Sequence, residues 1–187
     1  YERLPESLKS QWIWWAMPEP APRSNSFSDL IEEAPSSVDW HSAAETRKLI
    51  GMMSSRNLEK LAKAQSSGER VVGAIYKRTR RDQHGQKVQR AEVRFDDIAG
   101  CLRTPAGGSS RQLIMVVEGK SVRTRLISAR ETARLMGLPD SYELPARYNE
   151  AYHLTGDGVV VPVVRHLAAN ILEPALSAGQ RASRKVA

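Results

Sequence analysis

The pattern of apolar and polar positions predicts two short helices in the first third of the chain. Ser42-Ala43-Ala44-Glu45 has the form of a capping box, in which the first and last side chains each bond the other's backbone N–H at a helix start. Apolar residues at helical spacing follow it. A second helix is predicted from about Asn57 to Ala64, and Ser66-Ser67-Gly68 would end it.

Two β-hairpins are predicted after these helices. Residues 71–76 are rich in β-formers, residues 82–85 supply turn residues, and residues 88–95 lead back, which makes a long hairpin with a basic tip. A second hairpin is predicted to run through residues 113–117 and 122–126.

Helix signals return in the last third. Ser128-Ala129-Arg130-Glu131 is a second capping box, and Gly137 stands where a left-handed C-cap belongs. Residues 154–158 are interpreted as a glycine turn, after which Pro162 opens a last helix. The apolar face of this helix, residues 162–172, is too broad for a small domain to cover. We expect it to be an exposed patch for self-association or for docking of a partner.

The tryptophans and the single cysteine are candidates for chemistry. Trp12 and Trp14 alternate as on one face of a strand. They could form core or an interface with another domain, or they could stack on nucleotide bases. Cys101 is the only cysteine, so a disulfide within the chain and a zinc site of several thiolates are excluded, and no metal site is expected. We interpret Cys101 as a small buried hydrophobe.

The net charge of +7 is concentrated in one part of the chain. Residues 70–94 carry eight basic and two acidic side chains. Such a cluster is typical of a surface that binds a polyanion, and a solvated basic ribbon would carry the same charges. Of the 187 residues 41% are hydrophobic, which is enough for a packed core. We expect a cytoplasmic protein with neither a signal peptide nor a membrane span.

Three segments resemble one protein family. Residues 126–142 resemble the ninth shared motif of the DNA (cytosine-5) methyltransferases, whose core reads Arg-Glu-x-Ala-Arg-x-x-Gly-(aromatic or Leu)-Pro-Asp. Residues 151–162 resemble the tenth motif, but Asp157-Gly158 replaces the Asn-Ser of the usual Gly-Asn-Ser-Val. Leu102-Arg103-Thr104 and Gly107-Gly108 are similar to the pattern that closes the family's target-recognition domain.

The resemblance implies an α+β chain in two parts. Residues 1–125 would form a small, β-rich target-recognition domain with flanking helices. Residues 126–187 would form a C-terminal helical segment that packs on a Rossmann-like methyltransferase domain absent from this chain. The implied partners are double-stranded DNA and a catalytic domain or subunit.

The same resemblance implies the functional residues. Two loops would read base edges in the major groove, while further basic side chains hold phosphates. The residues implied to bind DNA are Lys77, Arg78, Thr79, Arg80, Arg81, Arg103, Thr104, Gly107, Gly108, Ser109, Ser110 and Arg111. Those implied to lie beside the methionine part of the cofactor S-adenosylmethionine are Gly156, Asp157, Gly158 and Val159.

Three other segments typical of the family do not occur in this sequence. They are a Phe-x-Gly-x-Gly cofactor segment, a Pro-Cys pair that supplies the nucleophile, and a Glu-Asn-Val triplet that supplies an acid. No catalytic residue is therefore assigned. The chain alone is expected to be inactive, as a fragment or as the small subunit of a split methyltransferase of bacterial, nucleoid-associated type. The alternative is a non-enzymatic, sequence-specific DNA-binding module.

Overall fold

A computed structural model describes residues 1–104 and 111–177 of the chain. The chain divides into two compact units, one made of Tyr1–Pro22 and Pro162–Ala187, the other of Arg23–Val161. In chain order the elements are α1 (Glu6–Lys9), a 3-10 turn (Ser28–Leu30), α2 (Ala43–Gly51), α3 (Ser55–Ser66), β1 (Arg70–Arg81), β2 (Lys87–Arg94), β3 (Leu113–Glu118), β4 (Ser121–Leu126), α4 (Ala129–Leu135), α5 (Tyr148–Asp157), α6 (Val161–Leu167) and a π-helical turn (Ala168–Leu172).

The larger unit is built on an antiparallel sheet with the strand order β2-β1-β3-β4. Successive residues of a strand point to opposite faces, so one strand can serve two cores. Ile75 of β1 packs in a cluster with Leu49 of α2 and Leu61 of α3, while Val72 and Ala74 pack in a second cluster on the other face. The predicted α+β class and both predicted hairpins are confirmed.

Both predicted capping boxes are confirmed. Ser42 and Ser128 each accept a hydrogen bond from the backbone of the glutamate three residues on, and each glutamate accepts one in return. Gly137 has the left-handed conformation, with φ of 77°. These local signals define where α2 and α4 begin and where α4 ends.

Glu131 does more than close its capping box. Its carboxylate also binds the guanidinium of Arg125 at 2.5 and 2.8 Å, and both side chains are fully buried. Glu131 accepts a further hydrogen bond from the backbone N–H of Glu32 at 2.7 Å. The ring of Trp40 covers the Arg125 guanidinium, with its centroid 4.7 Å away. This ion pair therefore ties β4, α4 and the segment before α2 together.

The predicted glycine turn at residues 154–158 is wrong, because residues 154–157 form the last turn of α5. Glycine costs about 1 kcal/mol in a helix relative to alanine. The buried side chains of Ala151, Tyr152 and Thr155 hold this helix against the core, which offsets that cost. Only Gly158, the C-cap, has an extended backbone, with φ of −72° and ψ of 163°.

The smaller unit exposes apolar side chains. Trp12 and Trp14 are not in a strand, and their side chains are 47% and 71% exposed, so the predictions of a strand and of a core position are wrong. The two indoles pack edge to face, with centroids 5.7 Å apart. On α6 and the π-helical turn, Val163 and Leu172 are more than half exposed, as expected for the last helix.

The stretch Tyr148–Ser177 is long and apolar enough, by length and composition alone, to cross a membrane. The sequence did not indicate this because Arg165, Asn170 and Glu173 interrupt every purely apolar run. A single stretch of this kind is weak evidence for a membrane span, since the core of a soluble protein can contain helices of the same length and composition.

Candidate nucleic-acid interface

The β1–β2 hairpin projects beyond the rest of the sheet. β3 begins opposite Ile75, so the six residues Tyr76–Arg81 of β1 pair only with β2. We call residues 76–92 the basic arm. The turn of the basic arm is held by Asp82, whose carboxylate accepts hydrogen bonds from the backbone N–H groups of His84 and Gln86 at 2.9 and 2.8 Å. The arm is thus a well-defined two-stranded ribbon.

Both faces of the basic arm are cationic. The alternation of a strand places Arg78 and Arg80 on one face and Lys77, Thr79 and Arg81 on the other. Opposite Arg78, β2 contributes Arg90 to the first face. All five predicted residues of the arm are therefore brought to one projecting ribbon, and four of them carry positive charge.

Glu92 holds the two arginines of the first face. Its carboxylate lies 3.3 Å from Arg78 Nε and 2.5 Å from a terminal nitrogen of Arg80. Exposed ion pairs contribute little to stability. Their effect here is to fix the direction of two guanidinium groups that extend from the ribbon. The sequence did not single out Glu92, because its role depends on cross-strand register.

Tyr76 lies at the base of the basic arm. Its hydroxyl donates a hydrogen bond to Gln112 Oε1 at 2.6 Å, and the Arg78 guanidinium lies 5.6 Å from its ring centroid. Burial raises the pKa of the Tyr76 hydroxyl from its ordinary value to about 12. Gly100 packs directly on this hydroxyl, since a Cβ at Gly100 would lie 1.1 Å from it.

The segment that follows Gly100 brings residues predicted for DNA close to residues predicted for the cofactor. The hydroxyl of Thr104 donates a hydrogen bond to the carboxylate of Asp157. A Cβ on Gly156 would lie 3.0 Å from the backbone nitrogen of Thr104 and 3.1 Å from the carbonyl carbon of Arg103. The glycine therefore allows the two backbones to approach closely.

The remaining predicted residues have different surroundings. Arg111 is turned toward α5, where its guanidinium binds Asn149 Oδ1 at 2.5 Å and lies 5.6 Å from the centroid of the Tyr148 ring. Val159 is 67% exposed. Gly107, Gly108, Ser109 and Ser110 lie outside the described residues.

Cys101 is exposed, so its interpretation as a buried hydrophobe is wrong. The thiol lies 3.4 Å from the carbonyl oxygen of Leu102. Its neighbours Ala99 and Leu102 make the contacts with the core cluster that contains Val72 and Ala74, which leaves the Cys101 side chain on the solvent side of the segment. Within the described ranges, no group of three or more His, Cys, Asp or Glu residues could hold a metal ion.

A second basic surface, which the sequence did not indicate, borders the edge of β2. A groove of about 890 Å³ lies between β2 and the start of α3. Its basic residues are Arg56, Lys60, Arg78, Arg80, Arg90 and Arg94. Lys60 is anchored there by a hydrogen bond to the carbonyl oxygen of Val93 at 3.1 Å. Positive charge thus continues from the arm to the helical layer.

Comparison with known proteins identifies the family. Residues 10–173 match the family described as C-5 cytosine-specific DNA methylase. The type II methyltransferase M.NlaX of Neisseria lactamica is 39% identical over 64 residues, which are 34% of this chain and 20% of that protein. M.HhaI of Haemophilus parahaemolyticus, also a type II methyltransferase, is 43% identical over 56 residues, or 30% of this chain and 16% of that protein.

A plant protein matches as well. The DNA (cytosine-5)-methyltransferase CMT2 of Oryza sativa subsp. japonica is 33% identical over 75 residues, which are 40% of this chain and 5% of that protein. The matching part of this chain thus spans a fifth or less of the length of these curated relatives. Since the family match covers most of its residues, this chain belongs to the C-5 cytosine-specific DNA methylases.

Proposed function

We propose that this chain is the target-recognition and C-terminal part of an enzyme that methylates cytosine C5 in a specific duplex sequence. The observation that carries the proposal is the basic arm, because the major groove of DNA admits a two-stranded β-ribbon. Residues 1–125 are assigned to recognition and residues 126–187 to the segment that rejoins the catalytic domain. The Arg125–Glu131 ion pair would join the two assigned parts.

The two faces of the arm suit different tasks in DNA recognition. Arg78 and Arg80 are held by Glu92, and an arginine fork so oriented can donate to guanine O6 and N7 together. Lys77 and Arg81 on the other face suit phosphate contacts, which position a protein without reading the sequence. Arg111, which binds Asn149 of α5, would hold its own segment in place rather than contact DNA directly.

The methyl-transfer chemistry needs groups that this chain does not contribute. Cytosine C5 is a weak nucleophile, so a thiolate must first add to C6, and a carboxylic acid near N3 assists. The target base must be flipped out of the duplex to reach both groups. Cys101 does not stand in a Pro-Cys pair, and no Glu-Asn-Val triplet occurs. We therefore propose that a separate catalytic part supplies these residues and that the chain alone is inactive.

S-adenosylmethionine supplies the methyl group in the proposed reaction. Of the four residues assigned to this cofactor, only some have surroundings that suit a cofactor site. The face of Gly156 is covered by the Arg103–Thr104 backbone, and Asp157 is hydrogen-bonded to Thr104. The exposed end of this segment, Gly158 and Val159, could form one wall of a pocket that the catalytic part completes.

The smaller unit offers a surface for that catalytic part. Ile13, Trp14, Val163 and Leu172 are all more than half exposed. Several large apolar side chains exposed on one unit are typical of a surface that binds another protein. We propose that the catalytic domain or subunit covers them, and that self-association of the chain covers them in its absence.

The test is methyl transfer from labelled S-adenosylmethionine to duplex DNA. The chain alone should transfer none, while addition of a catalytic part with the Pro-Cys and Glu-Asn-Val segments should restore transfer. Arg80→Ala should reduce the restored activity. Transfer by the pure chain alone would contradict the proposal. DNA binding that persists while no catalytic part restores transfer would favour the non-enzymatic DNA-binding module.

A further inference from the structure

A second, smaller cavity lies on the side of the arm opposite the β2 edge. It has a volume of about 350 Å³ and lies between the distal part of β1 and the segment around Arg103. It forms because β3 begins only at Leu113, which leaves the distal part of β1 without a neighbour on this side. We call this cavity the Gln112 pocket, after the residue at its base.

Gln112 presents an unused donor in this pocket. Its side chain is 1% exposed, and Oε1 accepts the hydrogen bond from Tyr76. Nε2 is buried and has no hydrogen-bond partner among the described residues. A buried donor without a partner costs free energy, so folded proteins seldom retain one unless water or a ligand supplies the acceptor.

The surroundings of this donor favour an anionic acceptor. Lys77 and Arg103 line the pocket, and none of its described lining residues is acidic. Arg78 and Arg94 also line it, with their charges shared by Glu92 and Asp96. Arg103 is exposed and forms no ion pair with any residue that the structure describes.

We infer that the Gln112 pocket binds a phosphate group of the DNA backbone, with Gln112 Nε2 as the buried donor and Arg103 as the cation. This inference rests on the proposed function, since it takes duplex DNA as the source of the phosphate. Gln112 and the Tyr76 hydroxyl that orients it then fix the position of the strand relative to the basic arm. Gly100 keeps the Tyr76 hydroxyl in place, because any side chain there would displace it.

The first experiment measures duplex DNA affinity of the full chain by fluorescence anisotropy. Gln112→Glu keeps the size of the side chain and an acceptor for the Tyr76 hydroxyl, but it replaces the donor by a carboxylate oxygen. We expect at least a tenfold loss of affinity, because the variant loses a buried donor and gains a negative charge that repels phosphate. Gln65→Glu makes the same charge change on α3, away from the pocket, and should lose much less.

A second measurement covers the case in which Gln112→Glu fails to fold. In the wild-type chain, the side-chain amide resonance of Gln112 should shift on addition of inorganic phosphate and also of duplex DNA. Arg103→Gln, an exposed change, should weaken both responses and reduce the salt dependence of DNA affinity by about one unit of slope. The response to inorganic phosphate tests whether the pocket binds a phosphate group. The response to the duplex tests whether DNA supplies that group.

The outcomes separate this inference from the proposed function. If Arg80→Ala weakens DNA binding while the Gln112 resonance responds to neither probe, the pocket assignment is overturned and the proposed function stands. A response to the duplex but not to inorganic phosphate would indicate a base edge as the acceptor and would overturn the phosphate assignment. If the Gln112 resonance responds to inorganic phosphate but the chain does not bind duplex DNA, the proposed function is overturned. The assignment of the bound phosphate to the DNA backbone is then overturned as well.

Discussion

Arg125 and Glu131 are the only oppositely charged pair of the described residues with both side chains fully buried. Removing one partner of such a pair leaves an uncompensated charge in the interior. Glu131→Ala should therefore lower the free energy of unfolding by about 3–5 kcal/mol, as measured by urea denaturation. The exposed pair of Arg147 and Glu150 provides the control, and Glu150→Ala should cost under about 1 kcal/mol. Equal effects of the two changes would contradict the role assigned to the buried pair.

Gly100 supports a second prediction about a single residue. A Cβ there would overlap the Tyr76 hydroxyl, whereas a Cβ on Gly51 would meet nothing within 4 Å. Gly100→Ala should therefore destabilise the fold by about 1–3 kcal/mol, as overpacking does. Gly51→Ala, at the last residue of α2, should be neutral or slightly stabilising because alanine favours the helix. Thermal unfolding of the two variants distinguishes them, and an unchanged midpoint for Gly100→Ala would mean that the segment moves aside freely.

The basic arm is the element on which DNA affinity should depend most. Phosphate contacts release counterions, so the logarithm of the affinity falls linearly with the logarithm of the salt concentration. Replacing Arg78, Arg80 and Arg81 by alanine should flatten that slope by roughly one unit per lost contact. These side chains lie on the exposed distal part of the hairpin, so circular dichroism should show an unchanged fold.

A matched control removes three charges from elements outside the arm. Lys48 of α2, Lys63 of α3 and Lys120 of the β3–β4 turn are exposed. The triple alanine variant at these positions has the same net charge as the arm variant. A slope that falls equally in both variants would mean that total charge, and not the arm, governs binding.

At the scale of the whole molecule, the exposed apolar side chains of the smaller unit decide how the chain associates. Leu167 and Leu172 are 40% and 57% exposed. Burying a leucine contributes about 1.5–3 kcal/mol, so Leu167→Asp combined with Leu172→Asp should weaken association by several kcal/mol. Sedimentation velocity at high concentration should show self-association of the wild-type chain and a monomeric double variant.

The control for this prediction is Leu58→Asp, because Leu58 of α3 is also partly exposed, at 42%, but lies on the larger unit. It should leave the association unchanged. A wild-type chain that stays monomeric, together with a double variant that loses its helical circular dichroism, would instead place these leucines in a core.

The sequence by itself determined the features that depend on neighbouring residues. The two capping boxes, the left-handed Gly137 and both hairpins follow from local hydrogen bonding and backbone preference, so a short window contains the whole signal. The charge of the basic arm was equally visible, because its residues are consecutive in the strands. The family resemblance rested on contiguous segments, and the match over residues 10–173 confirms the family.

Only the tertiary structure decided which distant residues meet. The backbone N–H of Glu32 binds Glu131, and Thr104 binds Asp157, because separate elements fold onto one another. Packing also overrode local preference at Gly156, where buried neighbours continue α5 through a residue that disfavours helix. Cys101 is exposed because its neighbours Ala99 and Leu102 make the contacts of this segment with the core. Burial and long-range contact depend on the whole arrangement of the chain, and no local pattern of residues encodes them.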